Sequence, residues 1–280
     1  MLATKRRRAT KKELKESIDA SVSKRVGFVI NKIEALSFLA DFDIDTLQGN
    51  IILNISYFSE DRLKEALKII GRVFNSPYAI SNRLAIAKSG EKIGTFTVPQ
   101  GNIGVGTVCS IMINGIFLKA GIPVTSKFGG VIEIENGNPK RFISLISYEG
   151  SSLDPLVIFI RSGMTDVLGA LKHNSGKVLG SFREIPTVSL PETEMLIEKM
   201  TKRGFNGIML LGKPNQPLLD IPVGTDKVGM IVVGGLNSIA AIEEARIYTE
   251  SNAMSTLYEY TKLLNFKDAL KMFSDELSHP

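Results

Sequence analysis

Any chemistry in this chain has to be done with few reactive side chains, since 280 residues hold one cysteine, Cys109, and two histidines, His173 and His279. Cys109 lies in Ile103–Pro123 (IGVGTVCSIMINGIFLKAGIP), which reads as a strand, a small-residue turn and a helix. The spacing predicts backbone N–H groups open to solvent at Cys109 and Ser110. A helix start favours an anion through its unpaired amides and its macrodipole, so a ligand carboxylate suits that position. A thiol there could also be a nucleophile of lowered pKa, or a small buried packing group, and these alternatives stay open at this point.

Other chemistries lack their residues. No G-x-x-x-x-G-K-[ST] occurs, and Gly104–Cys109 (GVGTVC) misses the last glycine of G-x-G-x-x-G. With one cysteine and no local cluster of histidine and carboxylate, neither a zinc site nor a facial triad is expected, and no cofactor is implied. His173, in the polar run KHNSG, reads as an exposed loop residue. A single cysteine also excludes an intrachain disulfide framework and fits a reducing compartment.

Three further segments carry polar groups that packing alone does not ask for. Tyr148–Asp154 (YEGSSLD), stopped by Pro155, reads as a polar loop; Ser181–Pro186 (SFREIP) sets Arg183 and Glu184 on a strand; Val232–Ser238 (VVGGLNS) offers a second glycine turn before a helix. The ordinary reading of Arg183 and Glu184 is an ion pair or the exposed face of an edge strand. Taken together, amides, hydroxyls and one guanidinium are the groups that bind a small dicarboxylate.

The elements that must hold these groups follow from periodicity. Phe28–Leu39 has helical or strand-helix character, Asn50–Phe58 is a strand, and Ser59 reads as the N-cap of a helix with Leu63, Ala66, Leu67 and Ile70 on one face. Leu84–Ala87 and Ile93–Val98 flank a Gly-containing turn as a hairpin, as do Gly130–Glu135 and Arg141–Tyr148 around Asn136-Gly137. Gly121 suits the position after the helix that follows Cys109. Then the order recurs: strand Lys177–Ile185, helix Leu190–Arg203, a hairpin from Gly207–Leu211 and Leu218–Val223, strand Val228–Val233, and a helix capped by Asn237 or Ser238. A shift of 125 residues lays Cys109-Ser110 on Gly234-Gly235. The expected class is α+β: a two-layer sandwich of mostly antiparallel sheet with covering helices, built by internal duplication of a ferredoxin-like β-α-β-β-α-β unit.

Charge sits at one end. Residues 1–25 hold nine Lys/Arg against three acidic residues, so the segment is +6 and the rest of the chain, at a total of +5, is −1. The segment reads as a solvated arm or linker; contact of Arg6, Arg7 and Arg8 with DNA is the alternative. Hydrophobic content is 44%, no apolar run nears the ~20 residues that span a bilayer, and the basic start lacks an apolar signal core, so the expectation is a cytoplasmic protein without a membrane partner. The remainder divides into a body, 26–265, with halves at about 26–148 and 149–265, and a tail, 266–280.

The five segments VGTVCSIMINGIFLKAGIPV, FGGVIEIENGNPKRF, YEGSSLDPLVIFI, SFREIP and VVGGLNSIAAIEEA, in this order, resemble the regulatory domain of the archaeal nitrogen-regulation repressors, the NrpR family. The resemblance spans about Val26–Tyr260. It implies a regulator of nitrogen-assimilation genes, not an enzyme, that responds to 2-oxoglutarate through a homodimer. Family members place a winged-helix domain before the regulatory domains, and this sequence has none. The resemblance therefore implies either work with a separate winged-helix DNA-binding subunit or basal transcription factors, or a regulatory piece of a longer repressor. A non-sensing co-repressor is the alternative function. The matched motifs carry Cys109, Ser110 and Arg183 as effector-site candidates, with Lys119 as an alternative cation. Thr107, Asn114, Glu184, Gly234, Gly235 and Asn237 complete the candidate set.

Overall fold

The computed structural model describes residues 27–276, and the basic arm with Arg6, Arg7 and Arg8 lies outside them. The described chain opens with helix α1 (Val29–Leu39), then runs β1 (Asn50–Ser59), α2 (Leu63–Phe74), β2 (Arg83–Ala87), a small hairpin of β3 (Lys92–Ile93) and β4 (Phe96–Thr97), β5 (Asn102–Val108), α3 (Ile111–Lys119) and β6 (Thr125–Glu135). After β7 (Asn138–Ser147), α4 (Pro155–Arg161) and α5 (Val167–His173) the order returns: β8 (Gly176–Pro186), α6 (Leu190–Lys202), β9 (Ile208–Leu211), β10 (Lys227–Val233), α7 (Asn237–Glu244) and β11 (Glu250–Glu259). β12 (Leu264–Asn265) and α8 (Phe266–Glu276) close it. β10 follows β5 by 125 residues at both ends, and β11 begins 125 residues after β6.

Sheet order shows how the two repeats are joined. The sheets run β11-β1-β5-β2-β12 and β7-β6-β8-β10-β9, with antiparallel neighbours. In a ferredoxin-like unit the fourth strand lies beside the first, then come the third and second. Here each sheet takes its first three strands from one repeat and its fourth from the other: β11 completes the sheet of β1, and β6 completes the sheet of β8. The repeats thus exchange their last strands. Neither sheet is whole without the other half of the chain.

The sequence explains the main elements. β1 (NIILNISYFS) is buried along nearly its whole length, as a run rich in isoleucine should be when a sheet is covered on both faces. α2 buries Leu63, Ala66, Leu67, Ile70 and Val73 and leaves Lys64, Lys68 and Arg72 in solvent. At the end of α3, Gly121 adopts φ 81°, with Gly121 N–H donating to Leu118 O and Ile122 N–H to Phe117 O. This is the paired-bond stop expected of a glycine there. α2 packs on α7 and α8, and α1 on α3, so that the two apolar cores each draw on both sheets.

Several local expectations are corrected. Ser59 caps no helix: it ends β1, its hydroxyl bonds to Asp61, and a 3-10 turn (Glu60–Arg62) leads into α2. β3 pairs with β4 and not with β2, while β9 pairs with β10, so of the three expected hairpins only that of β6 and β7 around Asn136-Gly137 forms. Leu218–Val223 is no strand; Leu218 and Ile221 bridge each other in a turn. Tyr148–Asp154 is a loop, as expected, and its Asp154-Pro155 end also starts α4, with Asp154 Oδ1 accepting from Leu156 N–H at 2.8 Å. β8 is a central strand, not an edge. The segment from 266 begins with α8, which buries Phe266, Ala269 and Phe273. Among the described residues no helix is long and apolar enough to cross a membrane.

Candidate functional site

The two strand–turn–helix corners meet. Thr107 Oγ1, at the end of β5, donates to Gly235 O at 3.0 Å, and a Cβ on Gly235 would stand 2.6 Å from Val108 O and 3.0 Å from Ser110 N. Only glycine lets the turn before α7 come that close to the turn before α3. Gly234 N–H is used inside its own unit, donating to Leu179 O at 2.8 Å. The amides of Ser110, Gly235 and Leu236 donate to no acceptor among the described residues. Two helix N-termini, of nine and eight residues, therefore face one junction.

Cys109 and Ser110 are buried there, which corrects the expectation of solvent-facing amides. Cys109 N–H donates to Ile52 O at 2.9 Å, because the turn is folded back onto β1. Burial pushes the Cys109 thiol up to about 12, against an opposing bond from Ile111 N–H. At neutral pH its thiolate fraction is negligible, which removes the lowered pKa that a nucleophile would need. A void of about 10 Å³ lies against Cys109, Ser110, Tyr148 and Gly235, room for about one water molecule.

Arg183 reaches this junction from β8 in the other repeat. It is fully buried, and its guanidinium donates through Nη1 to Ser110 O (3.0 Å) and Asn114 Oδ1 (2.5 Å) and through Nε to Ser181 Oγ (3.2 Å). Nη2 is buried without a partner. Desolvation lowers the Arg183 pKa to about 10, still charged at neutral pH. Tyr148, buried beside it, is pushed up by desolvation and stays neutral, and no carboxylate among the described residues lies within ion-pair distance of Arg183. A buried guanidinium left without an anion is costly.

The remaining candidates divide. Asn114 is at the junction, but its amide is spent: Oδ1 on Arg183 and Nδ2 on Ser126 Oγ at 3.0 Å, so it positions the guanidinium. Lys119 is at the far, exposed end of α3, donating to Asp41 O at 2.8 Å. Glu184 points to the other face of the sheet, as strand alternation requires, and accepts from Gly224 N–H at 2.9 Å. Asn237 caps nothing. Its side chain accepts from Leu179 N–H (2.8 Å) and donates to Leu179 O and Tyr78 O, tying α7 to β8. His173 is exposed at the end of α5.

Sequence reasoning missed Lys32 and took Asp154 only as the end of a polar loop. A groove of about 770 Å³ runs beside the junction between α1, α4 and β11, and both residues line it. Asp154, Ala253 and Met254 line the groove and the small void alike, so they are the wall between them. The Asp154 carboxyl is raised by burial, with the amides of Leu156 and Val157 opposing. Only the helical spacing of Val29, Lys32, Leu36 and Leu39 could have marked a lysine on an otherwise apolar stripe. Among the described residues no group of three or more His, Cys, Asp or Glu is placed to hold a metal ion.

Known proteins place this arrangement. Residues 26–265 match the family described as NrpR regulatory domains NRD1 and 2. The chain is 40% identical over 245 residues to the "Global nitrogen regulator NrpRI" of Methanosarcina mazei, an alignment covering 88% of this chain and 75% of that protein. It is 28% identical over 258 residues to the "Global nitrogen regulator NrpR" of Methanocaldococcus jannaschii, spanning 92% of this chain but 43% of that relative. A crystal structure of a nitrogen repressor-like protein from Methanococcus jannaschii superimposes with a TM-score of 0.75 at 28% identity, covering 86% of this chain and all of that one. With a whole-body match, two repeats in register and relatives named as nitrogen regulators, the chain belongs to the NrpR regulatory-domain family.

Proposed function

We propose that this chain is the effector-sensing part of a transcriptional regulator of nitrogen assimilation, and that 2-oxoglutarate places one carboxylate on Arg183 where the two corners meet. The observation that carries this is the buried, charged Arg183 with Nη2 unpartnered. A carboxylate there would gain charge-assisted bonds from a donor already stripped of water, with Nη1 held in place by Ser110 and Asn114. The free amides at the starts of α3 and α7 add to the pull on an anion.

The junction belongs to both repeats, with Arg183 on β8 and Ser110 and Asn114 on α3. With room for about one water, the effector enters only if the corners or the wall beside them move. A ligand shifts only an equilibrium whose states it discriminates, so binding would select a parted arrangement of the two repeats and, through it, an arrangement of a homodimer. DNA is then contacted indirectly, through a winged-helix subunit or basal transcription factors, or weakly through Arg6, Arg7 and Arg8. The same closed corner favours a second reading, a co-repressor that senses nothing.

Calorimetric titration of 2-oxoglutarate into the folded chain separates the two. Saturable heat at or below millimolar effector is the expected result. A folded sample that gives no heat at that concentration would leave the non-sensing co-repressor.

A further inference from the structure

A second cation lines the groove. Lys32 is half-buried on α1, its Nζ donates to Ala253 O at 3.2 Å, and no carboxylate among the described residues lies within ion-pair distance of it. Desolvation lowers its pKa, with the Asp154 carboxyl acting the other way. The groove's other cation, Arg161, is already engaged by Glu243 at 3.1 Å and Glu250 at 3.3 Å. Asp154 acts on Lys32 without an ion-pair contact, and its Oδ1 accepts from the amides of Leu156 and Val157.

Lys32 lines the groove on one side of the wall formed by Asp154, Ala253 and Met254, and Ser110, whose carbonyl accepts from Arg183, lines the void on the other. The residue after Lys32 makes the placement concrete: Ile33 lines the void against Cys109, while Lys32 lines the groove. The wall is the least regular part of β11. Opposite Asn54 the register with β1 slips, and Met254 is buried with φ 51°, a left-handed conformation unfavourable for a methionine. Its N–H is held by one side chain, Asn54 Oδ1, at 3.0 Å.

We infer that Lys32 receives the outer carboxylate of a dianionic ligand whose inner carboxylate lies on Arg183, so that Lys32 sets the preference for dicarboxylates over monocarboxylates. The inference rests on the effector reading above. The ligand then lies across the wall, along a path opened by the Met254 bulge, and the groove is its way in. An ammonium on a flexible stem suits the outer position, where the carboxylate stays partly hydrated, whereas the rigid guanidinium suits the buried one.

The test compares 2-oxoglutarate with 2-oxopentanoate, the same chain without its distal carboxylate, by calorimetry on the wild-type chain, Lys32→Met and Lys32→Arg. The wild type is expected to prefer 2-oxoglutarate by at least about tenfold, the worth of one partly exposed charge-assisted bond. Lys32→Met should lower 2-oxoglutarate affinity by about that factor, leave 2-oxopentanoate unchanged, and bring the ratio close to one; Lys32→Arg should restore most of the preference. A Lys32→Met variant that keeps the wild-type ratio overturns the assignment and leaves the effector reading standing. A folded wild type that binds neither compound overturns both.

Discussion

Replacing Arg183 by methionine should abolish measurable 2-oxoglutarate binding, a loss of at least about a hundredfold, or ~3 kcal/mol, because a carboxylate brought into this junction would have no buried cation to meet. The effect on stability should be much smaller. The substitution removes a buried charge that no anion balances, which favours the variant. It also strips Ser110 O and Asn114 Oδ1 of their donor, at a cost of about 1 kcal/mol each. These terms oppose, so the thermal midpoint should stay within a few degrees while affinity disappears. Arg183→Lys should lose at least about tenfold, since a point charge on a shorter reach cannot serve Ser110, Asn114 and Ser181 and still face a ligand. Calorimetry alongside thermal denaturation reads both quantities. A Met variant that binds 2-oxoglutarate like the wild type would remove Arg183 from the site.

Asn237→Ala should show the reverse pattern. The side chain is 1% exposed and satisfies three backbone groups, Leu179 N–H, Leu179 O and Tyr78 O. Alanine leaves Leu179 N–H buried without an acceptor and opens space between α7 and β8, at about 1–3 kcal/mol for the orphaned donor and more for the lost carbonyl bonds. A total near 3 kcal/mol should lower the thermal midpoint by roughly 6–12 °C for a body of this size. Whatever remains folded should bind effector with wild-type affinity, because Asn237 is occupied within the fold. A midpoint within 2 °C of wild type would show that the three bonds carry little.

How much of this was legible in the sequence depends on whether the signal is local. The strand–turn–helix at Cys109 was readable because β-branched residues, a small-residue turn and Gly121 each act on their neighbours. The repeat was readable for the same reason, as both copies obey the same spacing. The strand exchange was not: β6 and β11 carry ordinary alternation, and nothing local tells a fourth strand which first strand it will join. Ser59 and Asn237 misled because the residue type favours a cap, while a local bond to Asp61 took the side chain of Ser59 and a tertiary contact with β8 took that of Asn237. At the site, Arg183 stood out as a charge on a strand. Its burial and its missing partner depend on residues 69 and 73 positions away. Lys119 and Glu184, equally charged, were separated from it by helix length and by strand alternation. Lys32 was invisible as chemistry because a lysine on an amphipathic helix is ordinarily a solvated one.

The central claim is that an effector carboxylate completes Arg183 at the junction of the two repeats, and a crystal structure of the chain with 2-oxoglutarate bound tests it most directly. The account predicts a carboxylate oxygen about 2.7–2.9 Å from Arg183 Nη2, with the turns at Cys109-Ser110 and Gly234-Gly235 further apart than in the closed form. A ligand bound elsewhere, with Arg183 Nη2 still unpartnered and the two turns still in contact, would contradict it.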